Sequence, residues 1–176
     1  MADEGNIITD LNLDQPVGPV PNGEDTAPAI GLVSQYVKDL SVENPNAPDS
    51  YQWTETPEVA VDFNIGARTL GPDVHEIELK VTVTARAPSG TAYIVELAYG
   101  ALIAMRNVPD DQAHPFLFAE APRLVFPFAR RIIADAVRDA GYAPLMLEPI
   151  DFNGLYLAQL QQQAADELAS GVAGQA

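Results

Sequence analysis

The sequence contains no cysteine, which excludes disulfide cross-links and thiolate metal sites. It is also poor in positive charge, with 9 lysine and arginine residues against 25 aspartate and glutamate residues and a formal net charge of −16. Binding to nucleic acid or to an anionic membrane surface needs clustered cations, so this balance argues against both. The acidic surplus favours solubility and a basic partner reached through electrostatic steering.

Long apolar runs and catalytic motifs are missing as well. The apolar stretches are shorter than the roughly 20 residues of a spanning helix, and the segment from Met1 to Asp14 lacks the basic start of a secretory signal. The two histidines, His75 and His114, do not form a zinc-protease motif, and no glycine-rich phosphate loop or nucleophile elbow occurs. These absences predict a cytoplasmic protein without cofactor, metal or catalytic residues, although spacing alone leaves a catalytic carboxylate pair open.

Composition divides the chain into three parts. Residues 1–29 combine prolines, glycines and scattered acids without a sustained period, which predicts a disordered acidic N-terminal tail. Residues 30–165 carry hydrophobic periodicity and fit one domain of ordinary length. Residues 166–176 are mostly small and polar, so a flexible C-terminal tail is expected there.

The first half of the folded part shows the two-residue period of β-strands. Four segments are strand-like: residues 32–42, 58–65, 75–86 and 91–105. Gly71-Pro72 and Ser89-Gly90 are turn sequences between the last three segments. The pattern predicts a four-stranded antiparallel sheet with one apolar face and one acidic, solvated face.

The second half shows the spacing of α-helices. Pro122 suits a helix start, and Gly141 suits the position after a helix end. Asp151 could cap a second helix from Phe152 to about Leu168. Together with the strands, this pattern predicts an α+β fold whose sheet is followed by two C-terminal helices.

Apolar residues occur on more than one side of the first predicted helix. They are Phe126, Phe128, Ile132, Ile133 and Val137. Two helices of this size can bury only part of one face of a four-stranded sheet. The sheet and the first helix are therefore expected to continue across a subunit interface, where the remaining apolar surface is buried. Surplus apolar surface of this kind is typical of oligomers and binding sites.

Several motifs, in the same order along the chain, resemble those of the SecB family of export chaperones. They are YVKDLSVENPNAP at 36–48, PEV at 57–59, LVFPFAR at 124–130, PLMLEPIDF at 144–152, YL at 156–157 and QQQ at 161–163. The resemblance covers about residues 30–165. The extended N-terminal tail is in the style of an alphaproteobacterial member.

The resemblance implies an assembly and an activity. In the family, two protomers form a dimer with a continuous sheet, and two dimers stack their helices into a tetramer. The family binds unfolded preproteins in the cytoplasm and delivers them to the translocation ATPase SecA for Sec-dependent export. It uses no nucleotide or other cofactor itself, so no catalytic residue, nucleic acid or direct membrane insertion is expected.

The resemblance also implies a docking surface for SecA. Position by position, this acidic surface corresponds to Asp39, Glu43, Ile94 and Glu96. The first two residues share one face of their predicted strand, and the last two share one face of theirs. The alternative is that acids on a wet strand face only keep it solvated.

A groove for unfolded clients follows from the resemblance in the same way. It lies between the loop after the first strand, the sheet edge and the last helix, and corresponds to Tyr51, Trp53, Leu147, Phe152, Leu155 and Tyr156. The family's tryptophan stands two positions nearer the proline that opens the second strand, where this chain has Glu55. Either Trp53 reaches the same subsite or the pocket is altered. Phe152 and Tyr156 fit a core role as well as a client role.

Three other interpretations stay open at this point. A general or toxin–antitoxin-associated holdase of the same fold would differ in its clients. A small-ligand or enzymatic α+β domain would need a closed polar pocket and perturbed acids. A purely structural oligomer would have no affinity for unfolded chains.

Overall fold

The computed structural model describes residues 26–173, in which one antiparallel sheet carries helices on one of its faces. The strands are β1 (Ala29–Glu43), β2 (Glu58–Gly71), β3 (Val74–Ala87) and β4 (Gly90–Arg106). The helices are α1 (Asp110–Pro115), a π-helical turn (Phe116–Glu120), α2 (Ala121–Asp139) and α3 (Phe152–Ala173), and a short 3-10 helix (Asp49–Gln52) lies in the loop after β1. The predicted α+β class, with four antiparallel strands ahead of the helices, is confirmed.

The strand order across the sheet is β1-β4-β3-β2. Tight turns at Pro72-Asp73 and at Pro88-Ser89 connect the last three strands, as the turn sequences predict. β1 pairs with the far side of β4, so the loop that follows it must span the width of the sheet to reach β2. In the described part of the chain, β1 and β2 therefore lie at the two edges.

Two strands extend beyond their predicted limits. β2 continues from Ile65 to Gly71, because its backbone keeps pairing with β3 through the small residues Gly66 and Ala67. β1 begins at Ala29, where it is still paired with the end of β4. The pairing partner, rather than the local alternation, sets where these strands end.

The core lies between the sheet and α2. Odd-numbered residues of the two central strands face the helices and are buried: Ile77, Leu79, Val81 and Val83 of β3, with Tyr93, Val95, Leu97, Tyr99, Ala101 and Ile103 of β4. α2 covers them with Val125, Ala129, Ile133 and Val137, a buried stripe at four-residue spacing. The even-numbered residues of these strands form the opposite, outer face of the sheet.

The helical half begins earlier than the sequence pattern predicts. α1 starts at Asp110 and leads into α2 through the π-helical turn, in which Ala121 donates its backbone N–H to the carbonyl of Phe116. Pro115 and Pro122 lie within this stretch and cannot donate backbone hydrogen bonds. Prolines usually interrupt a helix, which explains why the sequence pattern places the start later.

Both predicted helix-end residues have the expected geometry. Gly141 follows α2 with a φ of +92°, a conformation that favours glycine. The Asp151 carboxylate accepts a hydrogen bond from the Gly154 N–H at 2.9 Å and caps α3.

The two predicted tails stay predictions. Residues 1–25 of the N-terminal tail lie outside the described residues, and β1 begins at residue 29. The predicted C-terminal tail overlaps α3, which continues to Ala173, and residues 174–176 lie outside the described residues.

Candidate functional site

The four predicted docking residues meet on the outer face of the sheet. In the β1–β4 ladder, Glu43 lies opposite Ile94 and Ser41 lies opposite Glu96, with Asp39 two residues further along β1. Residues opposite each other in a ladder share a face of the sheet. We call the surface formed by Asp39, Glu43, Ile94 and Glu96 the acidic sheet patch.

A second group of charged residues lies beside the acidic sheet patch on the same face. Glu76 of β3 is only 3% exposed. Its carboxylate accepts hydrogen bonds from the Tyr36 hydroxyl at 2.5 Å, from the Lys38 ammonium at 3.3 Å and from the Arg68 guanidinium. Lys38 forms a further ion pair with Glu78. We call these five residues the cross-strand network, because they join β1, β2 and β3.

The network keeps its central carboxylate ionised. The Tyr36 hydroxyl and then the Arg68 guanidinium lower the pKa of Glu76 to about 2, against the opposing effect of burial. The same hydrogen bond raises the pKa of Tyr36. Because three donors bind one carboxylate, Glu76 stays ionised and holds the side chains of Tyr36, Lys38 and Arg68 together on the outer face.

Gly100 makes this network sterically possible. It lies in β4, opposite Tyr36 on one side and opposite Glu78 on the other. A Cβ atom at position 100 would lie 2.8 Å from the Tyr36 ring and 3.0 Å from the Lys38 side chain. The two β1 side chains can therefore cross β4 to reach the acids of β3. The strand pattern of the sequence does not predict this network, and a glycine inside an apolar strand is the one signal of it.

The loop after β1 is clamped to the end of α2. The Asn44 amide donates hydrogen bonds to the Tyr51 hydroxyl at 2.8 Å and to the Ala140 carbonyl at 2.9 Å, and accepts one from the Tyr142 hydroxyl at 3.0 Å. The Tyr51 ring lies over Gly141, where a Cβ atom would come within 2.9 Å of it. Tyr51 thus holds the loop in place while its ring stays half exposed.

Trp53 lies at the same end of the sheet as Tyr51. The partly buried indole comes within 3.4 Å of the position that a Cβ atom of Gly90 would take, at the β3–β4 turn. Asn46 fixes the loop to this turn by donating a hydrogen bond to the Thr91 carbonyl at 2.8 Å. The loop therefore presents Trp53 in a defined position.

Phe152, predicted as a groove residue with a core alternative, lies in the core. It is 1% exposed, and its ring packs edge-on against Phe126 with centroids 5.6 Å apart. Phe126 in turn packs against Phe63 of β2 at 6.1 Å. Leu147 is partly buried against the core, and its carbonyl accepts a hydrogen bond from Arg130 at 3.3 Å.

Leu155 and Tyr156 lie beside β2 in an open groove. The groove has a volume of about 300 Å³ and is also lined by Phe63, Ile65 and Phe118. We call these five residues the edge groove, because they lie between α3 and the edge strand β2. Phe63 and Ile65 were not predicted as groove residues, since the alternation does not reveal that β2 is an edge strand.

The aromatic side chains at one end of the edge groove support α3. The Tyr156 hydroxyl forms a hydrogen bond with His114 Nδ1 at 2.8 Å, and the His114 ring stacks on Phe118 with centroids 4.6 Å apart. Phe118 belongs to the π-helical turn, which the sequence pattern did not predict as helical. This support fixes the groove wall on which Leu155 stands.

Within residues 26–173 the structure offers no membrane-spanning helix, and the side chains that it describes offer no metal site. Among the side chains that the structure describes, no group of three or more histidine, aspartate or glutamate residues could hold a metal ion. No helix in the same range is long and apolar enough to cross a membrane.

An α+β scaffold with an acidic patch on one sheet face and an apolar groove on the other defines a class of protein that presents open binding surfaces. A family described as "Preprotein translocase subunit SecB" matches residues 23–163. The chain belongs to the SecB family.

Relatives of similar length support this assignment. A protein-export protein SecB of Novosphingobium aromaticivorans is 76% identical over 165 residues, which is 94% of each chain. A protein-export protein SecB of Erythrobacter litoralis is 56% identical and covers 99% of this chain and 97% of its own. Both organisms' proteins match almost from end to end.

A solved structure shares the fold. It is the SecB-like chaperone of Mycobacterium tuberculosis in complex with a ChAD peptide from the HigA1 antitoxin. The two chains superpose with a TM-score of 0.59 at 10% identity, over 69% of this chain and 90% of the other. At this identity the likeness concerns the fold alone.

Proposed function

We propose that this protein is an export chaperone that binds unfolded precursor proteins, keeps them competent for translocation and delivers them to SecA. The observation that carries the proposal is the placement of the edge groove and the acidic sheet patch on opposite faces of one sheet. An apolar client and a basic partner could then be bound at the same time. The protein-export protein SecB that is 76% identical supports this function.

The edge groove and the loop carrying Trp53 are proposed to bind clients. Burying one large apolar side chain of a client yields about 1.5–3 kcal/mol, and ordering a flexible client offsets several kcal/mol of the total. One groove should therefore bind weakly and with little sequence preference. The edge position of β2 adds backbone groups that an extended client could pair with. Phe152 supports the groove from beneath, and Tyr51 holds the loop.

The proposed active form is a tetramer, a dimer of dimers. Five apolar side chains on the helix-facing side of β1 are each between 41% and 45% exposed: Ile30, Leu32, Val37, Leu40 and Val42. On α2, Leu124 and Phe128 are exposed to a similar extent. We propose that β1 pairs with β1 of a second copy and that the α2 surfaces stack two such dimers. A tetramer wrapped by one long client would gain avidity of about 10²–10⁴-fold.

The remaining parts of the proposal concern location and chemistry. The protein is placed in the cytoplasm, where precursors are synthesised, and acts without enzymatic activity, nucleotide or other cofactor. Neither nucleic acid nor direct membrane insertion has a part in this function. We propose that the segments 1–29 and 166–176 act as flexible tails, joined to the chaperone domain at the start of β1 (Ala29) and through the last turns of α3, which ends at Ala173.

A size measurement tests assembly and client binding together. By light scattering, we expect a mass of about 75 kDa, four times the 18.8 kDa chain. An unfolded precursor should form a larger complex with it, and the same precursor after folding should not. A stable monomer that ignores the unfolded precursor would overturn the proposal.

Shortening Leu155 should weaken client binding. Leu155→Ala removes an anchor from every groove, and we expect about 10-fold weaker binding of an unfolded precursor by calorimetry, since one anchor contributes about 1.5–3 kcal/mol. Leu157→Ala is the matched control, because Leu157 lies on the same helix, is 49% exposed against 50% for Leu155, and does not line the groove. Equal losses in the two variants would contradict the groove assignment. Trp53→Ala should also weaken binding of the unfolded precursor in this assay if the loop after β1 takes part in client binding.

A further inference from the structure

Lys38 introduces a positive charge next to the acidic sheet patch. It is the extra residue of a β-bulge between Val37 and Asp39, and it is followed directly by the first acid of the patch. Lys38, Asp39 and Glu96 line one depression of about 410 Å³ on the outer face, and Glu78 and Lys80 of β3 line its opposite wall. An ammonium group left in this depression would neutralise part of the patch.

The structure holds this ammonium at the β3 wall of the depression, across β4 from Asp39. Lys38 crosses β4 over Gly100 and pairs with Glu78 and Glu76 of β3. Hydrogen bonding to Glu78 raises the pKa of Lys38, so the group stays charged and bound. Tyr36 and Arg68 bind Glu76 as well and keep its carboxylate in place.

We propose that the cross-strand network is a positioning device that holds the Lys38 ammonium away from Asp39 and Glu96, leaving the acidic sheet patch open to a cationic protein surface. Gly100 is the residue on which the device depends, because a side chain there would block the path over β4. The inference rests on the proposed docking function of the patch. According to this inference, the affinity of the acidic sheet patch for its partner also depends on Tyr36, Glu76 and Glu78, which do not belong to the patch.

Amine labelling tests the position of Lys38 without any partner. Lys38 and Lys80 are the two lysines of the chain, so acylation of each can be followed by peptide mass spectrometry, with Lys80 as the internal reference. We expect Lys38 to react several-fold more slowly than Lys80, because two acids bind its ammonium and its side chain is 29% exposed against 60% for Lys80. Gly100→Ala should displace the Lys38 side chain and raise its rate toward that of Lys80, which also pairs with Glu78, at 3.4 Å, but does not cross β4 over Gly100. Equal rates in the wild-type protein would overturn the inference.

A double-mutant cycle with SecA tests the consequence for docking. Glu76→Gln with Glu78→Gln releases Lys38 and also removes the Glu78 partner of Lys80, and we expect about tenfold weaker SecA binding. Lys38→Met should change the affinity less than about twofold in the wild-type background but restore most of the loss in the double variant. A simple effect of net charge would instead make Lys38→Met act equally in both backgrounds, and this outcome would overturn the inference. Thermal melting of each variant verifies that it is folded.

The two experiments separate the inference from the function on which it rests. If the wild-type protein shows no affinity for SecA, the docking function is wrong, and the labelling rates still decide whether Lys38 is held by the network. If SecA binds but Lys38 reacts as fast as Lys80, the docking function stands and the positioning device is wrong.

Discussion

Replacing Asp39 and Glu43 with lysine should lower the affinity for SecA about 100-fold, because juxtaposed like charges cost several kcal/mol at an interface. Both side chains stand on the outer face, across the ladder from the strand that carries Ile94 and Glu96. Titration of SecA into the variant measures the loss. In the wild-type protein, the affinity should also fall as salt is raised, since exposed charges are screened.

The matched control reverses the same amount of charge elsewhere. Asp110→Lys with Asp111→Lys changes two exposed acids at the start of α1, which belongs to the helical side of the sheet. We expect this control to bind SecA nearly as well as the wild type, and both variants to keep their affinity for an unfolded precursor. If the Asp39 and Glu43 variant binds SecA like the wild type, the docking assignment is wrong. A holdase of the same fold with other partners would then be the better interpretation.

Truncating Phe152 to alanine should lower the free energy of unfolding by about 3–5 kcal/mol, the usual cost of removing a buried phenylalanine ring. The ring is 1% exposed and packs edge-on against Phe126, which packs edge-on against Phe63, so its loss opens a cavity between α2, α3 and β2. Urea unfolding followed by circular dichroism measures the change. A midpoint equal to that of the wild type would contradict the core position.

Phe128→Ala provides a comparison with the same side chain in a different place. Phe128 lies on α2 and is 43% exposed in the protomer. We expect its truncation to shift the assembly from tetramers toward dimers in light scattering, with a smaller effect on the unfolding of each protomer. The comparison separates a residue that holds the protomer together from one proposed to join protomers.

Much of the sheet could be predicted from the sequence, because one apolar and one solvated face impose a two-residue period on the strands. The strand order could not, since the pairing of β1 with β4 joins residues such as Ala29 and Arg106 that are far apart in sequence. The helical start at Asp110 also escaped, because Pro115 and Pro122 are unusual inside a helix. Local pattern predicts elements well and their long-range partners poorly.

The candidate sites divide in the same way. Strand periodicity predicts that Asp39 and Glu43 share one face of β1 and that Ile94 and Glu96 share one face of β4. Only the register of the β1–β4 ladder shows that the two pairs lie on the same face of the sheet. The cross-strand network depends on a bulge and on Gly100, and no periodic signal marks either one. The edge groove depends on knowing that β2 is outermost. Residues whose roles depend on tertiary contacts therefore cannot be identified from the sequence pattern alone.

In the proposed dimer, the two edges of the sheet have different environments. If β1 joins β1 of another copy around a twofold axis, each copy uses up its β1 edge, and β2 becomes the rim of an eight-stranded layer. β2 carries Glu58, Asp62 and Arg68, charges of the kind that discourage strand-to-strand stacking. Growth is then self-limiting: the layer closes after two copies instead of extending into a fibre, and its rims stay accessible to passing chains.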